Sequence, residues 1–313
     1  MSPAEPTLAS LPNPLLRYVA ATRPAFLSVT LVGCLLGLSI AHASGVRVSV
    51  PTAFLTVLFA LIAHAGANVI NDYYDAESGC DAANDCRVFP FTGGSRFIQN
   101  GVLTPRETAL FGYGLLASVV PAGLWLTLHS APGLIVIGLA GLLLGWAYSA
   151  PPLKLVSRGL GEPAVAASWL AVIVGADFVQ RGAFSWTPLL FGTPFALLVA
   201  NLLFINQFPD AMADAKTGKR TLVVRAGPQE ARWFYLAICS FAYGWLLFLI
   251  ERKNLPGAFA VAAVPVLLSL RAWRQLLLHA TDPPQLAGAI RLTIAAALAH
   301  GALLAGVLLS GAH

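Results

Sequence analysis

The sequence predicts an all-α fold, a multi-pass transmembrane bundle of about nine helices in two pseudo-repeated halves around a central cavity. Three observations predict it: a scarcity of charge, a series of long apolar stretches, and a polar pattern that occurs twice. Of 313 residues, 57% are hydrophobic and 11% charged, and the mean hydropathy is +0.74. A water-soluble domain carries roughly 25% charged residues, so this chain is built for a lipid bilayer.

Uncharged apolar stretches long enough to cross about 30 Å of hydrocarbon fall near 24–43, 51–74, 108–130, 131–150, 160–180, 186–206, 231–250, 256–272 and 286–310. The first follows Arg17 and Arg23 and ends in Ala41-His42-Ala43, the outline of a secretory leader. It is longer than a leader's apolar core and further spans follow, so it reads as the first membrane helix. The second and sixth run out into polar clusters. The third and fourth meet at Ser130-Ala131-Pro132-Gly133, short enough for a tight hairpin, which puts the count at eight or nine. The remaining spans carry at most two charges each, at or near their ends, and residues 1–313 read as a single membrane domain.

Basic residues near helix ends are retained on the cytoplasmic side. With the amino terminus inside, 15 of the 19 Lys and Arg residues fall on inner segments, leaving Arg47, Arg181, Arg252 and Lys253 outside. The expected location is the cytoplasmic membrane, with the polar ends of helices 2 and 6 facing the cytoplasm. The net charge of +5 then reports topology. No charge run or basic-aromatic stripe argues for a nucleic acid partner. Cys34, Cys80, Cys86 and Cys239 form no metal pattern, and Cys80 and Cys86 fall on the inner side, where thiols stay reduced.

The two polar clusters carry the chemistry. Asn68, Asn71, Asp72 and Asp75 are spaced by three, four and seven residues, as are Asn206, Asp210 and Asp214 by four and eight, so each set shares one helical face. Carboxylates massed on one face repel and require a counter-charge. With oxygen ligands alone the natural counter-ion is a hard divalent cation, and Mg2+ takes one or two carboxylates per site plus substrate phosphate oxygens. Charges near membrane depth are costly and functional by default, whereas Glu107, Glu230 and Asp282 read as solvated surface acids. The shared Asn-x-x-x-Asp pattern recurs at an offset of 138 residues, which places helices 2 and 6 at equivalent positions of two four-helix halves, facing each other and able to hold a diphosphate between them.

Each inner loop adds a piece. Loop 2–3 contains Thr92-Gly93-Gly94-Ser95-Arg96, where paired glycines free the backbone to approach an anion and Arg96 offers a forked donor to phosphate oxygens. Loop 4–5, Tyr148-Ser149-Ala150-Pro151-Pro152-Leu153-Lys154, is stiffened by its prolines and presents Lys154 at the same face. Loop 6–7 supplies Lys216, Lys219 and Arg220. His64, one turn before Asn68, reads as a hydrogen-bonded bundle histidine in preference to a substrate contact; Glu162 and Asp177 mark the two ends of helix 5. A secondary transporter would also show a pseudo-repeat with polar residues in the membrane, but its site belongs near the bilayer midplane, while these acids gather at one face.

The chain resembles the UbiA superfamily of intramembrane prenyltransferases in Asn68-Val-Ile-Asn-Asp72-Tyr-Tyr-Asp75, in Tyr148-Ser-x-Pro-Pro-x-Lys154-Leu, and in Asp210-x-x-x-Asp214-x-x-x-Gly218-Lys219-x-Thr221-Leu222. Asp75-x-x-x-Gly79-x-Asp81, Gly93-Gly-Ser-Arg96, Arg158-Gly-Leu-Gly-Glu162 and Asp177-Phe-Val-Gln-Arg-Gly182 are similar to the branch that prenylates 1,4-dihydroxy-2-naphthoate in menaquinone synthesis. Residues 80–90 align with no family pattern. The resemblance implies a Mg2+-dependent enzyme with catalytic acids Asp72, Asp75, Asp210 and Asp214, which with Asn68 would hold the metal. It implies that Arg96, Lys154, Lys219, Asn68 and Tyr148 would bind a polyprenyl diphosphate, and that an aromatic acid accepts the prenyl group with loss of pyrophosphate and CO2. A relative acting on 4-hydroxybenzoate or another phenol is the alternative.

The charge asymmetry and odd span count predict that a cysteine reporter at Thr92 or Thr217 reads cytoplasmic and one at Ser185 reads external. Opposite readings at Thr92 and Thr217 would separate the two acid clusters and dismantle the shared site.

Overall fold

The computed structural model describes residues 4–311. Its helices are α1 (Pro14–Ala21), α2 (Ser28–Ala43), α3 (Val50–Glu77), α4 (Pro105–Leu128), α5 (Leu134–Ala147), α6 (Gly161–Arg181), α7 (Thr187–Lys216), α8 (Leu222–Ala226), α9 (Pro228–Arg252), α10 (Val266–His279) and α11 (Ala287–Leu309). Several starts are chemically marked. Asn13 accepts the Leu15 amide ahead of α1, and Thr104 and Glu107 form a capping box at α4. Among the described residues, eight helical segments are long and apolar enough to cross a membrane.

The ninth expected span, 131–150, is α5. Its 14 residues cover about 21 Å at 1.5 Å per residue, short of the hydrocarbon thickness. The turn at Pro132-Gly133 delays its start, and it ends ahead of Pro151-Pro152, which pushes the preceding backbone out of the helical region. In contrast α3 runs beyond the expected limit at 74 to Glu77, and α7 beyond 206 to Lys216. Charge ends an apolar stretch but does not end a helix, so both acid clusters ride on continuous helix.

α7 is the central helix. Phe195, Phe204 and Ile205 of α7 are fully buried in a core completed by Leu36 of α2, Tyr235 and Leu246 of α9, Leu276 of α10 and Leu304 of α11. α3 packs on α4 as α7 packs on α9, while α2 packs on α6 and α11 closes against α2 and α7. This parallels the expected equivalence of the two polar helices. Neither rests on the other; α3 and α7 do not appear among the extensively packed pairs of the described residues, and a cavity separates them. Their polar ends meet at one end of the bundle, joined there by Lys219 of the segment after α7, whose Nζ lies 2.9 Å from Asp75 Oδ1 of α3.

Small residues set the closest helix approach, as expected where lipid and protein interior are equally apolar. A Cβ on Gly37 of α2 would lie 2.3 Å from the Ile173 carbonyl oxygen and 2.8 Å from the Ala176 Cβ of α6. Gly37→Val should therefore force α2 from α6 and destabilise the fold by about 1–3 kcal/mol, read as a lower thermal midpoint in detergent. Gly114→Val on α4, where a Cβ would meet nothing within 4 Å, should move it far less.

Candidate active site

The polar residues converge where the C-terminal ends of α3 and α7 meet the segments 78–104, 148–160 and 217–221. Carboxylates at a helix C-terminus face the negative end of the helix dipole, so these acids lie where negative charge is least welcome. Each is answered by a donor from another segment. Lys219 Nζ lies 2.9 and 3.0 Å from the two Asp75 oxygens and 3.7 Å from Asp214 Oδ1, bridging the two motifs. Cys80 Sγ donates to Asp214 Oδ1 at 2.9 Å, Asn84 Nδ2 to Asp210 Oδ1 at 2.6 Å, and the Ser95 amide to Asp72 Oδ1 at 3.1 Å. Burial works against the Lys219 charge, yet Asp75 and Asp214 hold its ammonium well above its ordinary value. Burial raises the Cys80 thiol, keeping it protonated as a donor.

A cavity of about 100 Å³ opens among these groups, lined by Asp75, Asp81, Asp210, Asp214, Lys219 and Tyr148 among others. Asp81, which had entered only as part of a family resemblance, is buried. Burial, followed by the charges of Asp75 and Asp72, pushes its carboxyl up to about 8. Gly94 has φ +71°, and a Cβ there would lie 2.1 Å from Asp81 Oδ2; the group that the glycine turn approaches is the carboxyl of this side chain. Asn84 Oδ1, Asn206 Oδ1 and Thr221 Oγ1 are buried with no hydrogen-bond partner, and all three residues line the cavity.

Among the described residues no three carboxylate, thiol or imidazole side chains converge unaided on one point, and Lys219 stands between Asp75 and Asp214. The donor set nevertheless fits Mg2+: oxygen ligands from four aspartates with two orphaned amide oxygens beside them, a hard-ligand environment in which buried acceptors lack donors.

A second cavity of about 430 Å³ adjoins the first between α2, α3, α4, α5, α6 and α7, lined by Phe59, Leu124, Leu142, Val172 and many other apolar side chains. Arg23, Asn71, Phe91, Tyr148, Leu203 and Asn206 line both. His64 is part of the apolar wall, its Nδ1 2.8 Å from Thr30 Oγ1, which satisfies it as a bundle histidine while leaving it beside the cavity.

The structure brings Asp75, Asp210, Asp214, Lys219 and Tyr148 to the polar cavity and sets Asp72 just behind it, 4.0 Å from Arg23 Nη1. Asn68 lies elsewhere. It lines the apolar cavity and donates to the Thr22 carbonyl at 3.1 Å, because it sits seven residues, about 10 Å of helix, deeper than Asp75. Asn71 takes the polar position, donating to Asp75 Oδ2 at 3.1 Å and Ser149 Oγ at 2.8 Å. Arg96 is turned from the cavity and donates to the Asp81 carbonyl. Lys154 is exposed and lines neither cavity. Of the two acids at the ends of α6, Glu162 accepts from Gln207, and Asp177 forms a two-pronged pair with Arg181 at 2.8 and 2.7 Å, far from the site. Arg23, expected only to fix orientation, is the basic residue at the seam of the two cavities; its signal was its place at the very mouth of the first span.

The chain is similar to known proteins in sequence and in fold. The chain is 28% identical over 234 residues to the 1,4-dihydroxy-2-naphthoate octaprenyltransferase of Bacillus subtilis, covering 73% of this chain and 72% of that protein. It is 31% identical over 224 residues to the protein of the same name from Mycobacterium leprae, covering 71% and 72%. The fold matches a UbiA homologue from Archaeoglobus fulgidus, solved with GPP and Mg2+, at a TM-score of 0.62 and 16% identity, covering 94% of this chain and 99% of that one. The family described as UbiA prenyltransferase matches residues 30–294, and the chain belongs to it.

Proposed function

We propose that this chain, acting as one domain, transfers a polyprenyl group from its diphosphate to 1,4-dihydroxy-2-naphthoate, releasing pyrophosphate and CO2 as a step of menaquinone biosynthesis, at the cytoplasmic face of the cell membrane. The observation that carries the reading is the adjoining pair of cavities. A polar chamber with carboxylates of both motifs and Lys219 shares Arg23, Asn71, Tyr148 and Asn206 with an apolar chamber. A polyprenyl diphosphate has the same two halves. Its charged head suits the first, its hydrocarbon tail the second, and the allylic C–O bond then lies at the shared wall. The naphthoate acceptor is supported by the names of the Bacillus and Mycobacterium relatives, and metal use by the Archaeoglobus structure.

Asp72, Asp75, Asp210 and Asp214 would hold Mg2+, with Asn206 and Asn84 offering amide oxygens, and Asn68 a candidate ligand from the deeper cavity. Bound there, the metal supplies Lewis-acid neutralisation of diphosphate charge. Lys219 contributes a positive charge already fixed between the two motifs, with no reorganisation needed as negative charge gathers on the departing pyrophosphate. Tyr148 at the seam offers a hydroxyl to the same oxygens. Arg23, braced by the Pro90 and Phe91 carbonyls at 3.4 Å each, offers a fork to the carboxylate of the aromatic acid or to the diphosphate. The apolar wall excludes the water that would otherwise capture the allylic cation. The aromatic ring carbon attacks that cation, and the ring regains aromaticity by losing CO2 in the naphthoate case.

Purified protein given a polyprenyl diphosphate, Mg2+ and a panel of aromatic acids should yield a prenylated naphthoquinol by mass spectrometry; product from 4-hydroxybenzoate alone would reassign the acceptor. Asp72→Asn and Asp210→Asn remove a ligand and no apolar packing, so each should lower turnover about a hundredfold or more without altering insertion, and chelation should abolish activity. Near wild-type rates in both variants would refute a metal site shared by the two motifs.

Lys219 and Lys154 are separable. Lys219→Gln removes a buried charge-assisted contact and should lower kcat/KM for the prenyl donor about ten- to hundredfold. Lys154→Gln should change it less than about threefold, the scale of an exposed charge. A larger loss for Lys154→Gln, confined to the prenyl donor, would restore Lys154 as a diphosphate clamp.

A further inference from the structure

The segment preceding α1 is folded across the loop between α3 and α4. Pro6 is buried, and Leu11, Tyr18 and Ala20 pack on a small core of Ala21, Phe97, Val102 and Leu103, separate from the main bundle core. At the head of this segment stands Glu5. Its Oε1 accepts Arg87 Nε at 2.7 Å. Its Oε2 accepts Asn100 Nδ2 at 3.2 Å and lies 3.7 Å from Arg96 Nε, while the same Asn100 amide donates to the Pro6 carbonyl at 2.9 Å. Partial burial works to raise the Glu5 carboxyl, but donation from Arg87 and Asn100 brings it below its ordinary value. Three side chains from a loop with neither helix nor strand thus converge on one carboxylate.

From these side chains the loop reaches the acids in single steps. Arg87 Nη1 donates to the Asn84 carbonyl at 2.7 Å, and Asn84 holds Asp210. Arg96 donates to the Asp81 carbonyl, and the neighbouring Ser95 amide holds Asp72. The span between these anchors, with Phe91, Thr92, Gly93 and Gly94, forms a wall of the polar cavity. Backbone turns such as Thr92 N to Val88 O at 3.2 Å and Asn100 N to Arg96 O at 3.0 Å fix only short pieces of that wall, so side-chain contacts must join the pieces to one another and to the acids.

We infer that Glu5 is a positioning residue and that the amino-terminal segment is a strap, holding loop 84–100 so that Asn84 meets Asp210, the Ser95 amide meets Asp72, and the polar cavity is walled from water. Arg87 and Arg96 serve this brace instead of binding phosphate. The inference rests on the reading of the two acidic motifs as the diphosphate site. Releasing the strap slackens the wall, which weakens hold on the diphosphate and admits water. Water then takes the allylic carbon in place of the aromatic ring: the C–O bond to diphosphate breaks, a bond to the water oxygen forms, a proton leaves, and the products are a prenyl alcohol and pyrophosphate.

The test compares full-length wild type with Glu5→Ala, Glu5→Gln and Glu5→Asp. The first readout is hydrogen exchange of residues 84–100. The second is the ratio of prenyl alcohol to prenylated aromatic, with KM for each substrate. Glu5→Ala and Glu5→Gln should speed exchange in that loop, raise KM for the prenyl diphosphate about fivefold, on the scale of a lost charge-assisted contact, and raise the alcohol fraction, leaving KM for the acceptor near its original value. Glu5→Asp should recover much of the wild-type ratio. The ratio is counted per turnover, so a simple loss of folded enzyme cannot move it; if Glu5→Ala folds poorly, the isosteric Glu5→Gln decides. Wild-type exchange and product ratio in Glu5→Gln would overturn the strap. A wild type that transfers no prenyl group would instead overturn the enzymatic reading, and loop exchange alone would then decide for or against the strap.

Discussion

The ion pair between Lys219 and Asp75, extended to Asp214, is the constraint on which the rest of the polar architecture depends. Two helices end in carboxylates, each at the negative end of its own dipole, and both ends are brought to one side of the bundle. Left unanswered, that charge would drive α3 and α7 apart or pull water between them. The ammonium sits 2.9 Å from one motif and 3.7 Å from the other. It ties the helices together at the place where they do not pack, and keeps a positive charge where an anionic headgroup would sit. A buried ion pair of this kind contributes little net stability compared with apolar packing; its worth lies in the geometry it fixes.

Around that centre the fold divides the labour. The second half of the chain is densely packed, with α7 at the middle of a core shared with α2, α9, α10 and α11. The first half is looser inside, and α3, α4 and α5 enclose the large apolar cavity together with α2, α6 and the Val199–Asn206 stretch of α7. The densely packed half carries one acidic motif, on a helix that also borders the apolar cavity, and the looser half carries the other. The long loop between α3 and α4 completes the polar chamber by donating to both, from Ser95 to Asp72 and from Asn84 to Asp210.

Much of this was legible in the sequence, for physical reasons that can be named. Composition and apolar run length set the number and place of the spans, because hydrocarbon thickness is fixed; α5 came out short because proline chemistry trimmed both its ends. Helical spacing put Asn68, Asp72 and Asp75 on a common face, but a face does not specify depth. Seven residues separate Asn68 from Asp75, and so Asn71, one turn from Asp75, takes the polar position. Lys219 was legible through its place after Asp214. Arg96 was not, since its partner Glu5 stands 91 positions away and no local pattern joins them. Arg23 was hidden by its resemblance to an ordinary orienting charge, while Asp81 was visible only through the family resemblance, because it lies past the end of α3 and no helical spacing ties it to either acid cluster.

The pairing of a wet chamber with a dry one answers a problem of solvent. A diphosphate demands ions, amides and hydroxyls, which in a membrane are tolerable only when mutually satisfied. An allylic cation demands that no water stand beside it. One homogeneous pocket could not meet both needs. Two chambers meeting at Arg23, Asn71, Tyr148 and Asn206 put the change of solvent at the bond that would break, so that the leaving group departs into fixed charge while the carbon it leaves behind stays among apolar side chains and the acceptor. The orphaned oxygens of Asn84 and Asn206 fit the same proposal: acceptors without protein donors inside a crowded polar chamber would be open to a cation, whose binding would offset their desolvation.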